Sequence, residues 1–213
     1  MAVIGAPRLI VVADLGYAGT EVRLLDALEA LAPVATDPRV AVQLRAKMLD
    51  EGQLEALARA VRTRLPRSVL MLNGWAGIAA GLGYEGVHWP EAALPDHLPP
   101  EPRWQSSAVH DVAALLRAEQ AGVNAAVFGS VFVPGSKAGT AAGTEALRAV
   151  CEVARIPVIA IGGVTPQRVA RCLDAGATGV AVVSGVLGVR DPAGAVVAYL
   201  AAIEQGTHEE VGS

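Results

Sequence analysis

The sequence is poor in cysteine. Its two thiols, Cys151 and Cys172, form neither a disulfide framework nor a metal-ligand spacing, and they point to a reducing, cytoplasmic setting. It also lacks any block of basic residues. Its 17 lysines and arginines are dispersed among 21 acidic residues for a net charge of −4, which excludes a nucleic-acid or polybasic membrane partner. No apolar run approaches the roughly 20 residues of a membrane span. The apolar run near the N-terminus stops at Asp14 and lacks a charged n-region and a cleavage signature, so it does not read as a secretory signal.

What the sequence does have is 213 residues, 53% of them hydrophobic, enough to bury the core of a single domain over 1–213. Short β-branched runs alternate with alanine- and leucine-rich helical stretches, the pattern of repeated βα units around a parallel sheet. Eight strands are expected: 9–13, 40–44, 68–72, 86–89, 104–109, 125–128, 157–161 and 179–183. Helical patterns fall at 21–31, 51–64, 76–82, 111–121, 144–154, 166–175 and 192–203. Residues 90–102 carry Pro90, Pro95, Pro99, Pro100 and Pro102, so the connection after the fourth strand reads as a loop or degenerate helix. The polar stretch 206–213 reads as a frayed tail. The fold class expected is α/β, a single (β/α)8 TIM barrel. The competing open doubly wound sheet needs fewer strands and would not place its phosphate turns last.

Those turns are Ile161-Gly162-Gly163-Val164 and Val183-Ser184-Gly185-Val186, each an apolar run passing through small residues into a helical pattern. Such turns deliver backbone N–H groups to an anion, and the loops after the last two strands of a barrel are its usual phosphate site. Gly162, Gly163, Ser184 and Gly185 are therefore phosphate-binding candidates. The alternative is two tight turns without a ligand.

Polar residues at the other strand ends complete the candidate site. Gln43, Arg45 and Lys47 alternate at the end of the second strand, where an extended backbone projects them to one side toward a phosphate or carboxylate. Asn73 ends the third strand. His110 follows the fifth strand and is the leading acid–base candidate, because imidazole exchanges a proton near neutral pH. The competing role is a helix-start histidine that caps or packs. His88 reads as a barrel histidine, and His97 and His208 as surface residues. After the sixth strand, a glycine-rich stretch carries Ser136 and Lys137, a hydroxyl and a mobile cation suited to a pyrophosphate or carboxylate.

The segments Val42-Gln43-Leu44-Arg45-Ala46-Lys47, Phe128-Gly129-Ser130-Val131-Phe132 with Ser136-Lys137, and the block 156–186 resemble the thiamine phosphate synthase and TenI superfamily. The resemblance implies a barrel that holds a thiazole phosphate on the backbone at Gly162, Gly163, Ser184 and Gly185. In the synthase branch it implies a pyrimidine pyrophosphate held by Gln43, Arg45, Lys47, Asn73, Ser136 and Lys137. Synthases follow the residue matching Asn73 with a magnesium-binding aspartate, where this chain has Gly74. Their second metal aspartate falls in Trp89-Pro90-Glu91-Ala92-Ala93, where only Glu91 offers a carboxylate.

The Asn73-Gly74 pair, the Ser107-Ala108-Val109-His110 segment and Val127-Phe128-Gly129 instead look like the TenI branch, and that resemblance implies a metal-independent thiazole tautomerase (an isomerase) with His110 moving the proton and no cofactor. Two alternatives stay open. One is a thiamine phosphate synthase (a transferase) using magnesium. The other is a silent barrel that binds thiazole phosphate or thiamine phosphate, an idea to which Trp75 and Gly77 give weight because relatives usually carry charges there. The implied partner is a phosphorylated thiazole or thiamine-related small molecule, and a homo-oligomer is left open.

Overall fold

In the computed structural model, which describes residues 5–133 and 141–209, eight parallel strands close into one barrel in sequence order. The strands are β1 (Leu9–Asp14), β2 (Val40–Arg45), β3 (Val69–Asn73), β4 (Gly86–Trp89), β5 (Trp104–Val109), β6 (Ala125–Gly129), β7 (Val158–Ile161) and β8 (Gly179–Val182). β1 pairs with β2 from Leu9 opposite Val40 to Asp14 opposite Arg45, and the ring closes where Leu9 meets Val180. The helices are α1 (Leu15–Ala18), α2 (Glu21–Leu31), α3 (Glu51–Arg64), α4 (Ala76–Gly81), α5 (Val112–Ala121), α6 (Gly143–Val153), α7 (Pro166–Leu173), α8 (Ser184–Leu187) and α9 (Pro192–Glu209).

The strands are covered on both faces, which is why they read as continuous apolar runs. Alternate residues Ile10, Val12, Ala41, Met71, Trp104, Ala125, Val127, Ile159 and Ala181 pack together inside the barrel. The intervening residues, among them Leu9, Val11, Val42, Leu44 and Leu72, pack outward with the helices. On α2, Leu24, Leu28 and Leu31 are buried at helical spacing. Each such side chain contributes about 1.5–3 kcal/mol relative to exposure. Local chemistry sets the helix starts: Asp50 and Gln53 form a capping box on α3, and Asp111 accepts from the Ala114 amide at α5.

The eight expected strands are all present, with ends moved by a residue or so. The connection after β4 is a single 3-10 turn, Glu91–Ala93, followed by a loop whose Pro99 carbonyl accepts from Gln105 Nε2 at 2.6 Å. Two things differ from expectation. The short helices α1 and α8, four residues each, are too short to carry a periodic signal. The supposed frayed tail continues α9 as far as Glu209. The reason is packing: Gly206 is buried against α7, where an added Cβ would come within 2.7 Å of Leu173 Cδ1. Among the described residues, no helix is long and apolar enough to cross a membrane.

Candidate active site

Period-two alternation carries polar side chains up the inside of the barrel. Above Ala41 come Gln43 and Arg45, above Met71 comes Asn73, and above Trp104 comes Ser106, while His110 follows the end of β5 at the rim. Gln43 is buried and its Nε2 lies 3.4 Å from Asn73 Oδ1. Arg45 pairs with Asp14, the residue opposite it in the strand register, and Asp14 also caps α1 through the Tyr17 amide. Asp14 stands in the same alternation as Ile10 and Val12, a signal that sequence reasoning passed over. Lys47 departs from the expected arrangement. β2 ends at Arg45, so Lys47 lies in the following turn and is exposed rather than continuing the row.

His88 lies inside the barrel with Nδ1 2.9 Å from Ser106 Oγ, as a barrel histidine should. Burial, reinforced by the nearby Arg45 guanidinium, pushes its pKa down from 6.5 to about 4. Between those values the unfolded chain binds a proton that the native barrel refuses, so stability falls as pH drops from 6.5 toward 4. The full effect is on the order of 3 kcal/mol. Denaturant titrations across this range should show a steeper loss in the wild type than in His88→Gln, and equal slopes would contradict the assignment.

His110 is 63% exposed at the rim, and its Nδ1 lies 2.6 Å from Glu91 Oε2. Arg117 of α5 donates to the other Glu91 oxygen, also at 2.6 Å. Glu91 and Arg117 therefore join His110 in one cluster. Arg117 gave no sequence signal, since its partner lies 26 residues away. His97 is exposed, as expected. Neither cysteine is a ready nucleophile: burial pushes both thiols up to about 11, so they stay protonated at neutral pH.

The two glycine turns adjoin. Gly162 and Gly163 have φ of +99° and +60°, a region that side chains disfavour. They also let the chain following β6 lie close: a Cβ on Gly162 would come within 2.6 Å of Ser130 Cα, and one on Gly163 within 2.7 Å of the Val133 carbonyl. The Gly162 carbonyl accepts from the Phe132 amide at 2.9 Å and the Gly163 carbonyl from Arg168 Nη1 at 2.8 Å. Because each trans peptide points its N–H opposite its C=O, the Gly163 and Val164 amides face away from those partners. Ser184 and Gly185 open α8, where the first N–H groups have no intrahelical acceptor. Tyr199 of α9 ties the two turns together: its buried ring meets Gly185, where a Cβ would clash with the hydroxyl, and that hydroxyl donates to the Val164 carbonyl at 2.9 Å. Ser136, Lys137 and the His208 side chain lie outside the described residues.

This barrel matches known proteins over most of its length. The TMP-TENI model, described as thiamine monophosphate synthase, matches residues 10–186. The chain belongs to this family. Within the TMP-TENI family it is 36% identical to the thiamine-phosphate synthase of Moorella thermoacetica over 73% of this chain and 78% of that protein. It is 34% identical to the thiamine-phosphate synthase of Haloquadratum walsbyi over 72% and 74%. The solved thiamine phosphate pyrophosphorylase of Pyrococcus furiosus superposes with a TM-score of 0.75 at 25% identity, covering 93% of this chain and 96% of that one. These names favour the synthase alternative over the tautomerase expectation.

Family membership sharpens the question of the carboxylates. Position 74 is Gly and position 93 is Ala, while Asp14 pairs with Arg45 and Glu91, the carboxylate of the 89–93 segment, pairs with Arg117. Among the described residues, no group of three or more His, Cys, Asp or Glu side chains could hold a metal ion. The donor set does not fit the two-aspartate magnesium site that the resemblance implies.

Proposed function

We propose that this chain is a thiamine-biosynthesis enzyme acting on a phosphorylated thiazole at the C-terminal mouth of its barrel, by the transferase reaction. The reading rests on one observation above the others, the 36% identity to a named thiamine-phosphate synthase across most of both chains. In that reaction a bond forms between the thiazole nitrogen and the pyrimidine methylene carbon. The bond from that carbon to pyrophosphate breaks, and the electron pair leaves with the pyrophosphate.

The chain's own groups have defined tasks in this reading. The amides around Gly163, Val164, Ser184 and Gly185 receive the thiazole phosphate, a fixed array of donors that costs no reorganisation on binding. Arg45 and Lys137 meet the pyrophosphate charge, while Gln43, Asn73 and Ser136 orient the pyrimidine.

A second reading, the isomerase one, is favoured by the 2.6 Å approach of Glu91 to His110. There His110 removes the proton beside the carboxylate of a carboxythiazole phosphate and returns it to the exocyclic carbon. One proton moves, no electrons are lost, and aromatisation supplies the driving force. Both readings share the phosphate turns.

Two incubations separate them. Purified protein with pyrimidine pyrophosphate, thiazole phosphate and magnesium should yield thiamine phosphate and pyrophosphate, followed by product mass. Protein with the unaromatised carboxythiazole phosphate and no added metal tests the isomerase reading through the ultraviolet absorbance of the aromatic ring. Product in the second tube alone would replace the first reading by the second. Ligand binding without product in either would leave a silent binder.

A further inference from the structure

We propose that Glu91 is a positioning residue that fixes the ring of His110 as the Nδ1–H tautomer, with Nε2 left as a free base at the barrel rim, and that Arg117 holds Glu91 in that task. The inference rests on the isomerase reading for its use in catalysis, but not for its geometry.

Three residues from separate parts of the chain meet here. Glu91 opens the 3-10 turn after β4, His110 ends the β5 connection, and Arg117 stands on the second turn of α5. Each Glu91 oxygen has one partner: Oε2 lies 2.6 Å from His110 Nδ1, and Oε1 accepts from Arg117 Nη2 at 2.6 Å. A carboxylate only accepts at Nδ1, so the proton of a neutral ring must sit on Nδ1, and Nε2 keeps its lone pair. Free neutral histidine prefers the other tautomer, so the preference at His110 is imposed by Glu91. Glu91 is 29% exposed against 63% for His110, so the carboxylate is the anchored member and the ring the reaching one. The arginine holds Glu91 directed at the ring, because a guanidinium donates and never accepts.

The same geometry bears on the metal. Glu91 is the one carboxylate in the segment where the resemblance calls for a second magnesium aspartate, yet one of its oxygens faces the His110 ring and the other accepts from the Arg117 guanidinium. A metal there would have to displace His110 or Arg117.

The test has an arm that needs no activity. Full-length protein carrying 15N-histidine is measured by NMR near pH 8, with His110→Asn identifying the His110 signals. Wild type should show one tautomer, Nδ1 protonated and Nε2 bare. Glu91→Ala should return the ring to a mixture in which Nε2–H predominates, and Glu91→Gln, whose amide oxygen still accepts, should fall between. An unchanged tautomer in Glu91→Ala, at a thermal midpoint showing intact folding, overturns the proposal. The second arm is turnover of carboxythiazole phosphate: Glu91→Ala should lower kcat about 10-fold or more with KM little changed, and Glu91→Gln should recover part of it. An isomerase inactive in wild type but with the tautomer shift intact removes the isomerase reading and leaves the positioning role standing.

Discussion

Gly163→Val is expected to unsettle the phosphate turn strongly. Two costs coincide there. At a φ of +60° a side chain pays about 1–2 kcal/mol for the left-handed backbone. The new Cβ would also stand 2.7 Å from the Val133 carbonyl and 2.9 Å from Phe132 Cβ, an overpacking that adds roughly 1–3 kcal/mol. At about 2–4 °C per kcal/mol for a chain this long, the thermal midpoint should fall by roughly 5–15 °C. The function should suffer with the fold, because the Gly163 and Val164 amides are aimed by the carbonyl bonds to Phe132 and Arg168 that the valine would push aside. Thermal melts with and without added thiazole phosphate check both parts: the wild type should gain stability from the ligand and the variant should not. A variant with a wild-type midpoint would show that the turn has slack the structure does not give it. One that melts early yet keeps its full ligand shift would detach the glycines from the phosphate.

The difference between what the sequence reveals and what it hides follows the range of the interactions. The barrel is legible because its strands are buried on both faces, and burial on two faces demands runs such as Leu9-Ile10-Val11-Val12 that no loop would carry. The glycine turns are legible because positive φ at Gly162 and Gly163 leaves a compositional mark. Side-chain partnerships leave none. Asp14 and Arg45 meet because the β1–β2 register sets them opposite each other, 31 residues apart, and Glu91 reaches His110 across 19. The role of Tyr199 depends on α9 folding back over two turns, one of them 35 residues earlier, so neither its hydroxyl nor the clash it makes with a side chain at Gly185 could be read locally. Lys47 was misplaced for a similar reason. Alternation told which face a side chain takes only while the strand lasted, and the ladder to β1 that defines β2 stops at Arg45. The helical course of residues 206–209 was likewise hidden, since polar composition suggested fraying while a contact with α7 decided otherwise.

His110 carries the sharpest chemical expectation, because in the isomerase reading one imidazole both removes and returns the proton. His110→Ala should keep its affinity for carboxythiazole phosphate, since the phosphate site proposed above is the pair of glycine turns and not His110, while the rate falls on the order of 10²- to 10⁴-fold. The asparagine variant separates chemistry from architecture. Its side chain is nearly as polar and could still donate toward Glu91, so a histidine that merely tied the β5 connection to the 3-10 turn would be replaced by it with little loss. A base would not, because an amide nitrogen cannot accept the proton, and His110→Asn should be almost as slow as His110→Ala. The exposure of the ring makes the comparison clean. At 63% accessible it fills no core space, so neither variant opens a cavity and both should melt close to the wild type. Transferase turnover offers the counter-measurement, since joining the two phosphorylated rings asks no proton of His110. If His110→Asn leaves thiazole aromatisation near the wild-type rate, His110 is not the base and another group at the barrel mouth moves the proton. If it abolishes aromatisation and spares thiamine phosphate formation, the barrel mouth runs both reactions on one phosphate site.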